Sequence, residues 1–158
     1  MTKIPATMLK NPIHLLSLGF GSGLAPKAPG TCGTLVAIPF YLLMGQMPLA
    51  PYIALVVVGF IVGVFLCEQT SKALGVHDHP GIVWDEFVGF WLTMIAVPMT
   101  WYWIILGFVL FRFFDIFKPW PVKIADQKLK GGFGIMIDDV LAGIYALVCM
   151  QLILHFVV

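Results

Sequence analysis

Charge is what this chain has least of. Asp, Glu, Lys and Arg make up 11% of its 158 residues, against roughly a quarter in an ordinary soluble domain. Nine basic and eight acidic residues leave a net charge of +1, so neither nucleic-acid binding nor a broadly polybasic lipid-binding surface is supported. Cysteine is equally thin. Cys32, Cys67 and Cys149 lack metal-ligand spacing, and an odd number without a secretory context argues against a disulfide framework. The first ten residues are polar and lack the apolar core of a signal peptide, which leaves targeting to internal apolar segments. No fixed-period repeat or linker is visible, and the expected organisation is a single domain over residues 1–158.

Apolar residues fill the place of charge: 60% of the chain is hydrophobic and 14% aromatic. Residues 28–67, 87–110 with Phe111, and 140–158 contain no Asp, Glu, Lys or Arg. A membrane span needs roughly 20 mostly apolar residues. The first stretch therefore holds two spans, turning at Gly45-Gln46-Met47-Pro48, and the last holds one. The middle stretch decides the topology. Read as one helix kinked at Pro98, it splits the basic residues between both sides of the membrane. Read as two helices, 82–97 and 99–117, it puts all nine on one side. The second reading satisfies the positive-inside rule, so the expected fold is an all-α bundle of five membrane helices with its basic side in the cytoplasm. Trp101 and Trp103 then anchor the opposite interface.

Five of the eight acidic residues start or end an apolar helix in this reading: the pairs Asp85-Glu86 and Asp138-Asp139, and Asp115. Ionisable groups at membrane depth are costly and usually face a bundle interior or a polar cavity. Complementing a helix dipole explains one carboxylate per pair, but not two adjacent ones at two helix starts. Carboxylates converging without enough cations suit a hard, oxygen-preferring metal, Mg²⁺ before Ca²⁺. Arg112 shares a helix face with Asp115 and is either the structural partner of a carboxylate or a phosphate ligand.

A second constellation spans residues 19–34, with five glycines, two prolines, three hydroxyls and Lys27 ahead of the first span. Its backbone N–H groups suit an anion cradle, helped by a helix N-terminus at Thr34 or Leu35. The bland alternative is an interfacial turn, because no Gly-Lys-Ser/Thr ends it as in a P-loop. His77-Asp78-His79 lacks an i,i+4 pair on a helix and reads as a polar loop. Lys118-Pro119-Trp120-Pro121 reads as a helix stop with a snorkelling lysine, or one that meets a lipid phosphate. Gly131-Gly132-Phe133-Gly134 is either a hinge or close-packing backbone, and Gly59 with Gly63 forms a Gly-x-x-x-Gly face for packing within the chain.

Several phosphatase classes drop out. No cysteine is followed by arginine six positions on, no Asp-x-Asp opens an aspartyl-phosphate motif, and the Asp-Gly-x-x-Ala-Arg opening of alcohol phosphatidyltransferases is absent. Four blocks instead resemble phosphatidylglycerophosphatase A. They are Pro29-Gly30-Thr31-Cys32-Gly33-Thr34, Val76-His77-Asp78-His79 with Ile82-Val83-Trp84-Asp85-Glu86-Phe87-Val88-Gly89, Arg112-Phe113-Phe114-Asp115-Ile116-Phe117-Lys118-Pro119-Trp120-Pro121, and Gly134-Ile135-Met136-Ile137-Asp138-Asp139. The order is the family's and the match covers nearly the whole chain. Thr34 departs from a serine in the family pattern but keeps the hydroxyl.

The resemblance implies a bacterial inner-membrane, Mg²⁺-dependent phosphatase that removes the terminal phosphate of phosphatidylglycerophosphate. Asp85, Glu86, Asp138 and Asp139 are then expected to hold the metal, with Asp115 beside them as a catalytic carboxylate. Lys27, Arg112 and Lys118 are expected to neutralise the phosphoryl oxygens, and Gly30, Thr31 and Thr34 to cradle them during metal-assisted attack of water. Partners are the lipid substrate and the membrane. The alternative is a small ion or metabolite transporter built on the same carboxylates. It needs polar groups through the full membrane depth, whereas the far half of every span is apolar or aromatic.

Overall fold

The computed structural model describes residues 3–158, and among them there is no β-strand. A short N-terminal region (3-10 turn Ala6–Lys10, helix α1 Pro12–Ser17, 3-10 turn Gly19–Leu24) leads into helix α2, Pro29–Met44. Helices α3 (Leu49–Leu74), α4 (Trp84–Thr93), α5 (Trp101–Phe117), α6 (Val122–Lys128) and α7 (Gly131–Val157) follow. Helix α7 packs against α3, α4 and α5, while α4 also lies on α2 and α3. Only α3 and α7 are long and apolar enough to cross a membrane by length and composition; α2 is a shorter apolar helix.

The apolar pattern explains the shape. Helices α3, α5 and α7 leave large side chains such as Ile61, Ile105 and Leu152 on the outer surface, although their sequences offer few polar residues to place there. Helix α4 does the reverse: nearly every residue from Asp85 to Thr93 is buried. At 1.5 Å per residue its ten residues cover about 15 Å, half of a hydrocarbon core of roughly 30 Å. The expected helix over 82–97 thus ends early, as Met94–Thr100 turns back with Ala96 in a left-handed conformation.

A helix that stops inside a bundle leaves carbonyls without partners, and a buried carbonyl left unpaired is costly. Neighbouring helices supply the donors. The Tyr52 hydroxyl of α3 donates to Trp91 O at 2.6 Å, and the Gln151 amide of α7 donates to Ile95 O at 2.8 Å. Tyr52→Phe is expected to cost about 1–3 kcal/mol by orphaning the Trp91 carbonyl, readable as a lower unfolding midpoint in detergent.

Gly59 and Gly63 serve packing within the chain. Trp84 Nε1 donates to Gly59 O at 3.0 Å, and a Cβ on Gly63 would lie 2.6 Å from Met136 Cε. Of the two tryptophans expected as anchors, Trp101 is 73% exposed, whereas Trp103 is buried in the core.

Three other expectations shift. Helix α2 begins at Pro29, five residues before Thr34, because proline suits the first helical position and Ala28 turns the chain left-handed ahead of it. Helix α7 begins at Gly131, so residues 131–134 are its first turn rather than a hinge, with Gly132 packed on the backbone of α3 at Val64. The Glu68 carboxylate of α3 accepts from Gly132 N at 2.5 Å and so meets one of the free N–H groups at the start of α7. Consequently Asp138 and Asp139 sit two turns inside α7 rather than at its start.

Candidate active site

The up-and-down course of the main helices brings the start of α2, the start of α4, the end of α5 and the second and third turns of α7 to one end of the bundle. The two turns at the other end, residues 45–48 and 94–100, carry no charge. Five carboxylates gather at the first end: Asp85, Glu86, Asp115, Asp138 and Asp139. Asp85, Glu86, Asp138 and Asp139 are buried, Asp139 at 3% exposure.

Arg112 stands at the centre. Its Nη1 bonds both Glu86 Oε2 and Asp115 Oδ2, tying α5 to α4. Of the two roles expected for this residue, the structure shows the guanidinium as a carboxylate partner, and its buried Nε makes no hydrogen bond.

 Thr34 Oγ1 lies 2.9 Å from Gly30 O and 3.1 Å from Glu86 Oε2, and its single proton serves one of them. Glycine at position 30 is a steric requirement, since a Cβ there would collide with Glu86 Oε1 and press on Arg112.

Glu86, Asp115 and Asp139 offer carboxylate oxygens that all lie within 4.8 Å of one another. Asp139 Oδ2 and Asp138 Oδ1 are buried without any hydrogen-bond partner. Against five carboxylates the same region sets two cations, Arg112 and Lys118. Uncompensated buried anions are expensive, so this donor set of hard oxygens fits a divalent cation. Compared with the set expected from sequence, Asp115 joins the converging oxygens, while Asp85 and Asp138 stand beside them. Asp85 Oδ1 accepts from Glu86 N at 3.0 Å.

Lys118 follows the last turn of α5 in a left-handed conformation. Its ammonium lies 2.8 Å from Asp138 Oδ2 and 2.9 Å from Asp126 Oδ1 of α6, so it is an ion-paired residue rather than a snorkelling one. Burial disfavours its charge, but the two carboxylates outweigh that and hold its pKa above the ordinary lysine range.

The remaining expected phosphate ligands are less engaged. Thr31 lies in the first turn of α2, where N–H groups have no intrahelical partner. Lys27 is exposed on the preceding loop and is not brought into the carboxylate cluster. His79 is buried, and its Nδ1 accepts from Gly81 N at 3.0 Å. A cleft of about 820 Å³ opens beside the start of α2, between Lys3, Ala25, Pro29 and His79. It adjoins the carboxylate cluster through Pro29, whose neighbour Gly30 touches Glu86. Sequence reasoning missed Asp126 and the whole of α6, a seven-residue helix with no apolar period to reveal it.

A family model described as phosphatidylglycerophosphatase A matches residues 15–154. This chain belongs to that family. A phosphatidylglycerophosphatase A from Escherichia coli is 51% identical over 148 residues, covering 93% of this chain and 86% of its own length. Another from Haemophilus influenzae is 51% identical over 142 residues, covering 89% and 87% respectively. No solved structure matches the chain. The matched segment, residues 15–154, includes every carboxylate and both cations of the cluster.

Proposed function

We propose that this chain is a membrane lipid phosphatase that converts phosphatidylglycerophosphate to phosphatidylglycerol and inorganic phosphate. Membership of the phosphatidylglycerophosphatase A family supports the reaction and the substrate. The observation that supports its location in the molecule is the convergence of Glu86, Asp115 and Asp139 around buried, unpartnered carboxylate oxygens. The chain is read as a multi-spanning protein of the bacterial inner membrane, with the charged end in the cytoplasm. The outward apolar side chains of α3, α5 and α7 favour this, as does the absence of charge in the two far turns. Helix α4 serves as a half-length fifth element enclosed by the others.

In this reading Glu86, Asp115 and Asp139 hold Mg²⁺, with Asp85 and Asp138 next to them. When bound, the metal supplies positive charge to the phosphoryl group and lowers the pKa of attacking water. The chain's own residues do the rest. Lys118 contributes positive charge beside the phosphoryl oxygens, and the start of α2 offers the N–H groups of Gly30 and Thr31 to them. Arg112 bridges Glu86 and Asp115 and offsets their charge, which preserves the donor set. Asp138 Oδ1, buried and unpartnered, is the acceptor for the proton lost by water. Water oxygen bonds to phosphorus as the bond from phosphorus to the glycerol oxygen breaks in line, and the departing alkoxide takes up a proton to become the product hydroxyl.

Phosphate release from phosphatidylglycerophosphate in detergent micelles tests the proposal. Release is expected with Mg²⁺ and is expected to cease with chelator, returning when Mg²⁺ is restored. No release under Mg²⁺ would sink the phosphatase reading. Transport along the same carboxylates finds no support in the bundle. Beyond Glu86 and Asp139 the buried positions of α4 and α7 are mostly apolar, among them Phe87, Phe90, Ala146 and Met150, and none carries a charge.

A further inference from the structure

We propose that Asp126 of α6 is a positioning residue for the phosphoryl site, acting through Lys118. The proposal rests on the phosphatase reading above and extends it to a residue outside the carboxylate cluster. A lysine ammonium has three N–H donors on a flexible four-carbon stem. Here two of them are committed, one to Asp138 Oδ2 at 2.8 Å and one to Asp126 Oδ1 at 2.9 Å. Fixing two tetrahedral donors fixes the direction of the third. The Lys118 side chain is 28% exposed, so that third donor is open to a ligand. A phosphoryl oxygen is the acceptor that matches a preset ammonium in a site built for phosphate.

The two carboxylates come from different elements, and that division carries the argument. Asp138 belongs to α7, inside the site, whereas Asp126 reaches Lys118 from the short helix that links α5 to α7. With Asp126 absent, the ammonium is left to Asp138 alone. It then closes on that carboxylate as a simple pair, or swings about it, and in either case the third donor loses its direction. Helix α6 is itself held by the burial of Val122 and Ala125, so Asp126, one turn after Val122, is presented on a packed element rather than on a loose loop. A purely structural pair between α5 and α6 needs no second carboxylate from α7, and the shared geometry is what sets Lys118 apart from the i,i+4 pair of Glu68 and Lys72.

The test is calorimetric titration of inorganic phosphate into the full chain in detergent with Mg²⁺, alongside lipid hydrolysis and thermal unfolding. Asp126→Ala is expected to weaken phosphate binding roughly tenfold, the scale of one charge-assisted hydrogen bond, and to raise the KM for lipid more than it lowers kcat. Asp126→Asn keeps an acceptor for the ammonium and is expected to lose roughly threefold or less. On a Lys118→Met background, Asp126→Ala is expected to add nothing further, because the two residues act as one unit. Unchanged phosphate affinity in Asp126→Ala overturns the positioning role. So does an equal loss in Asp126→Asn, an additive loss on the Lys118→Met background, or a loss that only tracks a lower unfolding temperature. A wild-type chain that neither binds phosphate nor hydrolyses the lipid would instead overturn the phosphatase reading itself.

Discussion

Asp139→Asn is expected to lower phosphate release roughly a thousandfold, the scale on which preorganised electrostatic groups act in catalysis, while leaving the chain folded. Asp139 is 3% exposed, its Oδ2 has no partner, and its carboxylate faces those of Glu86 and Asp115. In water an aspartate gains little from such neighbours; here it is held among like charges with only Arg112 and Lys118 nearby to offset them. The same crowding predicts the sign of the stability change. Removing one negative charge from an acidic excess relieves repulsion, so in chelator the variant is expected to unfold at or above the wild-type temperature. With Mg²⁺ the wild type is expected to gain stability by ligand linkage, and the variant to gain less. Phosphate release and unfolding, each measured with and without Mg²⁺, separate these effects. A variant that retained more than a tenth of wild-type turnover would remove Asp139 from the reaction.

Arg112→Met is expected to fail in the opposite way. Its guanidinium is the only cation bonded to Glu86 and Asp115 among the described residues, and all three side chains are at least 85% buried. Taking one partner from a buried ion pair costs about 3–5 kcal/mol, because the other charge stays behind without compensation. The variant is therefore expected to unfold at much lower denaturant in the presence of chelator. Adding Glu86→Gln and Asp115→Asn to it is expected to restore much of the stability, since the stranded charges are gone, but none of the activity. Unfolding of the single and triple variants in mixed micelles provides the measurement. Equal stability in the two would mean that Arg112 contributes packing rather than charge.

These contrasts show why part of the site was legible before the fold was known. In a chain with so few charges, Asp85, Glu86, Arg112, Asp115, Asp138 and Asp139 had to be explained by something other than solvent, and their distribution along the apolar stretches put them at one end. The places where helices begin were harder to read. Pro29-Gly30-Thr31-Cys32-Gly33 looks like a loop by propensity, but these small residues let α2 lie close against Val83 and Glu86, and packing overrode the local preference. Gly131–Gly134 hid a helix start for the same reason, although close packing was one of its two readings. Its glycines bring α7 against the backbone of α3, which moved Asp138 and Asp139 into the body of a helix. The end of α4 depends on Tyr52 and Gln151, far away in sequence. No window around Thr93 contains that information. Asp126 was hidden because a single acid on a short polar segment is ordinarily a solvated one, and only its distance to Lys118 says otherwise.

The half-length of α4 also bears on how the site is gauged against its surroundings. A full-length span finds its depth from the two faces of the bilayer and tilts when the bilayer thins. Helix α4 has no such reference, because its inner end is fastened to α3 and α7 by hydrogen bonds and its outer end carries Asp85 and Glu86. Its level is therefore set by protein, like a dowel seated in a drilled hole. Under the proposed membrane reading, enclosing helices that tilt to suit a thinner or thicker bilayer carry Glu86 along with Asp139, and the spacing between them is kept.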